Sequence, residues 1–184
     1  MNKLILVNGD IATGKSHFAL ILSERFQLPL FTKDEFKEHL ADESPVSTYE
    51  ESHRLSLEAM DMLIDVFNDF ASQNVNLILE ANFHEDYLSK IGEIAKEYNY
   101  QILNLNLVGN PEILYQRYVN RRDKGDRHPV HAINKLNDYH SFKEYCENRK
   151  KEKMIGQVIE INTDDFSYQS NEELLNKIKE FLLN

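Results

Sequence analysis

This 184-residue sequence has one cysteine, no long apolar run and no excess of basic residues. The single cysteine, Cys146, excludes an internal disulfide and is typical of a reducing compartment. Because Cys146 lies in a stretch rich in Lys and Glu, we interpret it as a bystander thiol rather than a nucleophile. The first apolar run ends at Asn8-Gly9, too early for a signal peptide or a membrane span. We therefore expect a cytoplasmic protein with no membrane partner.

The shortage of basic residues also disfavours one class of partner. Lys and Arg number 21 against 31 Asp and Glu, which gives a formal net charge of −10. Nonspecific nucleic-acid binding relies on neutralising phosphates, so this balance argues against it. Basic residues are in excess over residues 111–153, where 11 stand against 7 acidic residues. That island fits a small, highly anionic ligand such as ATP. A solvated charged helix is the alternative, and we prefer it for Lys143, Arg149, Lys150, Lys151 and Lys153.

The most specific motif lies at residues 9–16, where Gly-Asp-Ile-Ala-Thr-Gly-Lys-Ser matches the phosphate-binding pattern G-x-x-x-x-G-K-S. An apolar run at 4–7 precedes it, and an amphipathic pattern at 17–26 follows. Strand, glycine loop and helix is the arrangement in which backbone N–H groups surround a polyphosphate. Lys15 would reach the β- and γ-phosphates, and Ser16 would bind Mg²⁺. The residues predicted to bind ATP here are Gly9, Asp10, Ile11, Ala12, Thr13, Gly14, Lys15, Ser16 and His17.

Strand and helix patterns alternate along the rest of the chain, without repeats or an interdomain linker. Five strands with crossover helices predict a three-layer α/β/α sandwich with a parallel sheet, in one domain spanning 1–184. In such sheets ligands bind beyond the carboxyl ends of the strands. The predicted strands are 4–7, 28–31, 75–79, 101–108 and 158–161. The predicted helices are 17–26, one beginning near 32, 50–72, 85–98, one beginning near 110, one after 129, and a last one through 174–182, with a loop at 41–48.

Two carboxylates follow predicted strands at the expected binding edge. Asp34 lies just past the second strand, where it could orient an acceptor hydroxyl and take its proton during phosphoryl transfer. Stabilising the start of a helix is an equally good explanation for Asp34. Glu80 ends the third strand, where burial of a carboxylate is costly unless a metal, water or cation faces it. We predict that Glu80 lies near Mg²⁺ or binds substrate, and exposure at the strand end is the alternative.

Arginines dominate the segment that begins near 110. Arg117 and Arg121 are four residues apart and therefore lie on one helical face, and Arg127 follows in a polar, glycine-containing turn. Arginine suits phosphate binding because its charge is permanent and its fork is bidentate. Surface ion pairs are the alternative. We favour function for Arg121 and Arg127, a weaker case for Arg117, and turn-stabilising roles for His128 and His131.

The segment Asn162-Thr163-Asp164-Asp165 follows the last strand. In a parallel sheet this position faces the bound nucleotide, so its backbone, at Thr163 for example, could contact the adenine. A capped turn before the final helix explains the same residues equally well.

Taken together, the phosphate loop, Lys33-Asp34, Leu79-Glu80-Ala81-Asn82 and the arginine series resemble the P-loop small-kinase group. That group includes the polynucleotide 5′-kinase domain, chloramphenicol phosphotransferase and the zeta-toxin kinases. The resemblance implies the strand order 2-3-1-4-5, an ATP·Mg²⁺ donor and a mobile arginine lid around 117–131. It further implies that Asp34 is the catalytic aspartate, that Arg117 packs on the adenine and that Arg121 points to the phosphates.

Some features depart from related patterns. These kinases usually carry Asp where this chain has Glu80. The Asp-Gly-x-Pro-Arg signature of nucleoside monophosphate kinases is absent. Asn134-Lys135-Leu136-Asn137 lacks the acidic residue of a guanine-binding motif, which disfavours a GTPase.

The sequence therefore predicts an ATP-dependent kinase that phosphorylates a hydroxyl of a small molecule, with Lys15, Asp34, Arg121 and Arg127 as its catalytic residues. Alternatives are a 5′-hydroxyl polynucleotide kinase and a nucleotide-binding regulatory or toxin-like module. Residues 36–72 are expected to shape the acceptor pocket. The candidates to line it, which could equally be surface residues, are His39, Tyr49, His53 and Arg54.

Overall fold

The computed structural model of the protein describes residues 1–125, 127–136 and 138–184. Asp126 of the predicted lid and Asn137 of the Asn-Lys-Leu-Asn segment lie outside the described residues. The strands are β1 (Asn2–Gly9), β2 (Leu30–Thr32), β3 (Leu77–Glu80), β4 (Tyr100–Val108) and β5 (Gln157–Asn162). The helices are α1 (Lys15–Phe26), α2 (Lys33–Glu43), α3 (Tyr49–Ser72), α4 (Glu85–Glu97), α5 (Pro111–Lys124), α6 (Tyr139–Arg149) and α7 (Glu172–Leu183), with short 3₁₀ turns at Pro129–His131 and Ser167–Ser170.

The five strands form one parallel sheet in the order β2-β3-β1-β4-β5. The predicted fold class and strand order are therefore confirmed. Side chains alternate along β1, so Leu4 and Leu6 face one layer while Ile5 and Val7 face the other. The first layer consists of α3 and α4, and the second of α1 and α7. No helix within the described ranges is long and apolar enough to span a membrane.

Several predicted boundaries are wrong by a few residues; the strand predicted at 75–79, for example, begins at Leu77. The strand predicted at 28–31 begins at Leu30, because the chain is still closing α1 there: Gln27 has a left-handed backbone (φ 52°), and the Leu28 N–H donates to the Ser23 carbonyl at 3.1 Å. Helix α2 continues into the loop predicted at 41–48, because Ala41 packs in a small buried cluster with Leu55 and Val130.

A separate buried cluster lies between α5 and α6, and Ile11 and Ala12 of the phosphate loop pack against it. Its central members are Leu114, Tyr118, Phe142 and Cys146. Burial raises the pKa of the Cys146 thiol to about 12, which is the property of a packed, unreactive thiol.

All five strands run in the same direction, so their carboxyl ends meet at one edge of the sheet. The phosphate loop, the start of α2, Glu80 and the turn after β5 therefore come together there. This edge carries the candidate site.

Candidate active site

The phosphate loop depends on two glycines. Gly9 has a φ of 128°, and a Cβ there would lie 2.0 Å from the Leu107 carbonyl oxygen of the adjacent strand. Gly14 has a φ of 88°, and a Cβ there would lie 2.7 Å from the Tyr168 hydroxyl. Any side chain at either position would force the loop away from its neighbours. Both glycines of the motif are thus explained by close approach as well as by backbone conformation.

Lys15 is 7% exposed, and its Nζ donates to the Asp10 carbonyl at 2.5 Å. The Thr13 hydroxyl donates to the same carbonyl at 2.8 Å. Burial lowers the pKa of Lys15 to about 8, although the carboxylates of Glu80 and Asp34 oppose that shift. The lysine is therefore held across the mouth of the loop as a cation at neutral pH.

Ser16 and Glu80 form the candidate metal site. Glu80 is 4% exposed, and the Ser16 hydroxyl donates to its Oε2 at 3.0 Å. Burial raises the pKa of Glu80, and the nearby Lys15 ammonium opposes this. Carboxylate and hydroxyl oxygens suit Mg²⁺, which usually takes one or two protein ligands together with substrate phosphates. The described residues contain no cluster of three or more His, Cys, Asp or Glu side chains able to hold a metal by themselves. The donor set therefore fits a phosphate-bound Mg²⁺.

Asp34 lies in the first turn of α2, whose start is capped by the Thr32 hydroxyl. Its carboxylate contacts Lys33 Nζ at 3.2 Å and Arg127 Nη2 at 2.5 Å. Burial by itself would raise the pKa of Asp34, but the charges of Lys33, His131 and Arg127 outweigh it and hold the pKa well below its usual range. The group is consequently ionised and able to accept a hydrogen bond.

Asp34, the phosphate loop and two of the predicted arginines open into one cleft of about 930 Å³. Burial, followed by the charge of Arg127, lowers the pKa of Arg121 in its wall. His131 also lines the cleft, and its Nε2 lies 2.7 Å from Glu38 Oε1. The predicted site residues that line this cleft are Ile11, Ala12, Gly14, Lys15, Ser16, His17, Asp34, Glu80, Arg121 and Arg127.

Three residues of the phosphate loop do not line the cleft: Gly9, Asp10 and Thr13. The side chains of Asp10 and Thr13 are buried on the side away from it. The Asp10 carboxylate instead borders a second cavity of about 490 Å³ together with Arg149 and Glu160. Burial raises the pKa of Asp10, and the charges of Lys15 and Arg149 oppose the shift. Only the backbone of Asp10 therefore belongs to the phosphate loop.

Arg117 and Thr163 meet beside the phosphate loop, outside the main cleft. The Arg117 guanidinium donates to the carbonyls of Thr163 at 2.6 Å and Asp164 at 2.7 Å. It also stacks on Phe166 at 4.2 Å from the ring centroid. This arginine fixes the turn after β5, and Phe166 is an aromatic partner that sequence reasoning missed.

Of the acceptor-pocket candidates, Tyr49 and His53 line the cleft and stack on each other with ring centroids 5.7 Å apart. His39 and Arg54 instead lie on the surface, where they pair with Glu43 and Glu58 on the next helical turn. For His39 and Arg54 the structure thus agrees with the alternative given above, that they are surface residues.

The prediction that Arg149 lies on a solvated helix face is wrong, because the residue is only 4% exposed. Its guanidinium donates to Asn8 Oδ1 at 2.8 Å, to the Phe83 carbonyl and to Glu152 at 2.8 Å. It therefore ties α6 to the end of β1 and to the chain after β3. The other four basic residues of this group, Lys143, Lys150, Lys151 and Lys153, are exposed as expected.

Two further residues of the candidate site, Tyr168 and Lys37, were not predicted from the sequence. The Tyr168 hydroxyl donates to the Thr13 carbonyl at 2.8 Å and so braces the phosphate loop from the opposite end of the chain. Lys37 is 7% exposed and lines the cleft one helical turn beyond Asp34. The signal that could have found Lys37 is its spacing of three residues from Asp34 and four from Lys33, which places all of them on one helical face.

The strand order and the phosphate loop define a P-loop kinase fold, as the resemblance implied. Residues 5–154 match a family model described as an AAA domain, and the chain belongs to that family. No curated protein matches the chain significantly.

Solved structures extend this likeness over the whole chain. A candidate kinase from Chloroflexus aurantiacus is 25% identical with a TM-score of 0.84, over 100% of this chain and 99% of that one. The shikimate kinase from Bacteroides thetaiotaomicron is 16% identical with a TM-score of 0.61, covering 100% and 99% of the two chains. A gluconokinase from Sinorhizobium meliloti is 14% identical with a TM-score of 0.61, covering 100% and 94%. Because the last two structures are less than 25% identical to this chain, their likeness to it concerns the fold alone.

Proposed function

We propose that this protein is an ATP-dependent kinase that transfers the γ-phosphoryl group to a hydroxyl of a small molecule. The observation that carries the proposal is that the ionised Asp34 opens into the same cleft as Lys15 and Ser16 of the phosphate loop. A phosphate loop alone would be compatible with a switch. A carboxylate in the same cleft adds a group that can handle an acceptor hydroxyl.

In this proposal ATP supplies the phosphoryl group. Ser16 and Glu80 would hold Mg²⁺, which when bound would offset the negative charge of the phosphates. The backbone N–H groups of the loop and the Lys15 ammonium bind the β- and γ-phosphates. Arg121 and Arg127 stabilise the charge that develops on the moving group. Arg117, fixed on Phe166, and the Thr163 turn hold the adenine.

Asp34 orients the acceptor hydroxyl and takes its proton as the new O–P bond forms and the bond to the leaving ADP oxygen breaks. Because Arg127 contacts Asp34 at 2.5 Å, the acceptor must displace this guanidinium or share the carboxylate with it. We therefore propose that Arg127, which belongs to the predicted lid, moves during the reaction while Arg117 stays bound to the turn after β5. Movement of Arg127 away from Asp34 frees the carboxylate, and its return brings the guanidinium to the transferred phosphoryl group.

The experiment is a screen of hydroxylated metabolites for ATP-dependent gain of one phosphoryl group, read by mass spectrometry and ADP release. With the acceptor found, Asp34→Asn should lower kcat by roughly 10²- to 10⁴-fold while ATP affinity, measured by calorimetry, stays the same. The matched control is Asp61→Asn on α3, an exposed aspartate paired with Lys90 at 3.6 Å. An undiminished kcat in Asp34→Asn would contradict the assigned role, and ATP binding without transfer to any acceptor would favour a switch.

A further inference from the structure

Lys37 is a buried cation in the wall of the cleft that the proposed chemistry does not use. Its Nζ donates to Ser52 Oγ at 2.9 Å, and the Ser52 hydroxyl donates onward to the Val130 carbonyl at 3.3 Å. A lysine ammonium carries three N–H donors, so Ser52 satisfies only part of this group. Among the residues that the structure describes, no carboxylate lies within ion-pair distance of Lys37.

A buried charge without a counter-ion is costly, so its retention at a binding cleft requires an explanation. Burial, together with the charge of Lys33, lowers the pKa of Lys37 to about 8, which leaves it mostly protonated at neutral pH. The neighbouring cations Lys33 and Arg127 are both engaged with Asp34. One carboxylate offsets only one of those two charges, so this end of the cleft has an excess of positive charge, to which Lys37 contributes without an ion pair of its own among the described residues.

We propose that the acceptor is a compact hydroxylated molecule carrying a carboxylate or phosphate group, and that this anionic group binds Lys37 while the hydroxyl lies at Asp34. The inference rests on the proposed kinase function and names its substrate class. Residues three apart on a helix have Cβ atoms about 5–6 Å apart. Both residues also line the same cleft, so one small molecule can carry the hydroxyl and the anionic group together.

The cleft walls suit such an acceptor. Glu38, the nearest acidic residue along α2, contacts His131 and is not within ion-pair distance of Lys37. Tyr49 and Met60 supply less polar surface for a carbon frame. Bound anion would complete the hydrogen bonding of the ammonium and supply the counter-charge that it lacks.

The test compares acceptors that share a carbon frame and differ in charge: gluconate, glucitol 6-phosphate and glucitol, and likewise glycerate, glycerol 3-phosphate and glycerol. Binding is measured by calorimetry on the protein saturated with Mg²⁺ and a non-hydrolysable ATP analogue, so that the phosphate loop is filled. We expect the anionic members to bind at least about 30-fold more tightly than the neutral ones, the lower bound for losing one partner of a buried charge pair. Comparing the carboxylate with the phosphate member identifies the anionic group. Equal binding of neutral and anionic members overturns the proposal.

Inorganic sulfate provides a probe that does not depend on the acceptor's carbon frame. With the same analogue bound, sulfate should raise the pKa of Lys37, followed through the NMR resonance of its Cε in ¹³C-lysine protein. A Lys37 titration that sulfate leaves unchanged overturns the proposal.

Variants separate anion binding from a purely structural tether. Lys37→Met should abolish the preference for anionic compounds, and Lys37→Arg should restore part of it. Ser52→Ala breaks the tether but keeps the ammonium, so it should retain the preference. If Ser52→Ala loses the preference as fully as Lys37→Met, Lys37 is a structural residue. Lys90→Met, an exposed lysine, serves as the matched control.

Failure of this inference can be distinguished from failure of the kinase assignment. Phosphoryl transfer to neutral acceptors, dependent on Asp34 but not on Lys37, would keep the kinase and remove the anionic acceptor. Lys37-dependent anion binding without any phosphoryl transfer would keep the anion site at Lys37 and contradict the kinase assignment.

Discussion

The Ser16 hydroxyl donates a 3.0 Å hydrogen bond to the Glu80 carboxylate across 64 residues of sequence. Ser16 lies in the first turn of α1 and Glu80 ends β3, so the contact depends on β1 and β3 being neighbours in the sheet. Glu80 is almost fully buried, and the Lys15 ammonium is the charge that most strongly opposes the rise of its pKa. Both oxygen atoms thus face the place where the phosphates of a nucleotide are expected.

Replacing Glu80 with Gln should raise the Mg²⁺ concentration needed for half-maximal turnover by roughly 10-fold or more, the usual loss when an oriented partner of a metal site is removed. Gln keeps an acceptor for the Ser16 hydroxyl, so the fold should survive. The measurement is a Mg²⁺ titration of ADP release at fixed ATP. Glu97→Gln, at an exposed position in α4, is the control, and an unchanged Mg²⁺ dependence in Glu80→Gln would rule out the metal role.

A pair of tyrosines tests how the phosphate loop is braced. Tyr168 donates to the Thr13 carbonyl at 2.8 Å, and Tyr100 donates to the Val75 carbonyl at 2.7 Å far from the loop. Each Tyr→Phe change should lower the free energy of unfolding by about 1 kcal/mol, as expected for one lost buried hydrogen bond. Only Tyr168→Phe should also weaken ATP binding, measured by calorimetry. Equal ATP affinity in the two variants would mean that the loop holds its shape unaided.

Arg149→Met should destabilise the protein by about 3 kcal/mol, because it removes a buried guanidinium, leaves the Phe83 carbonyl without its partner and leaves Glu152 with His84 alone. The free energy of unfolding in urea is the measurement. Lys143→Met, on the exposed face of the same helix, should change it by no more than about 0.5 kcal/mol. Similar results for the two variants would restore the solvated-helix interpretation of Arg149.

The pH dependence of stability provides a test of how deeply Lys37 is buried. Folding lowers its pKa from 10.5 to about 8, so between these values the unfolded chain binds more protons than the folded protein does. This lysine's contribution to stability therefore rises with pH across that window. The groups that act on Lys37, namely Lys33, Asp34 and Arg127, are the same in wild type and in Lys37→Met.

The free energy of unfolding of the wild type minus that of Lys37→Met should consequently increase from about pH 8 to 10.5, by at most about 1.4 kcal/mol per pH unit. Urea unfolding of both proteins at a series of pH values measures it. A difference that does not vary with pH would mean that Lys37 keeps its ordinary pKa in the folded protein.

Local signals in the sequence were sufficient for the fold class and for part of the site, whereas the strand order came from the resemblance to P-loop small kinases. The phosphate loop is a contiguous pattern, and the five strands are apolar runs separated by amphipathic helices, so both follow from short-range periodicity. Glu80 could be placed because its strand ends where parallel strands end together. Such features need no knowledge of which distant side chains meet.

Long-range contacts were harder to predict. Arg149 lies in a stretch of Lys and Glu that has the composition of an exposed helix, and its contacts with Asn8 and Phe83, 141 and 66 residues away, hold it in the interior. The burial of Lys37 was not predictable from its neighbours in sequence either, because the residues around its ammonium, Ser52 and Val130, lie on other segments. Residues of this kind depend on tertiary packing, which overrides local pattern.

The brace from Tyr168 to Thr13 spans 155 residues, so the loop receives its last support only after almost the entire domain has been synthesised. A nascent chain emerging from the ribosome would carry the complete phosphate-binding motif long before that tyrosine is available. Nucleotide capture should accordingly be a late event during translation, and full affinity should coincide with the docking of β5 and the turn that follows it.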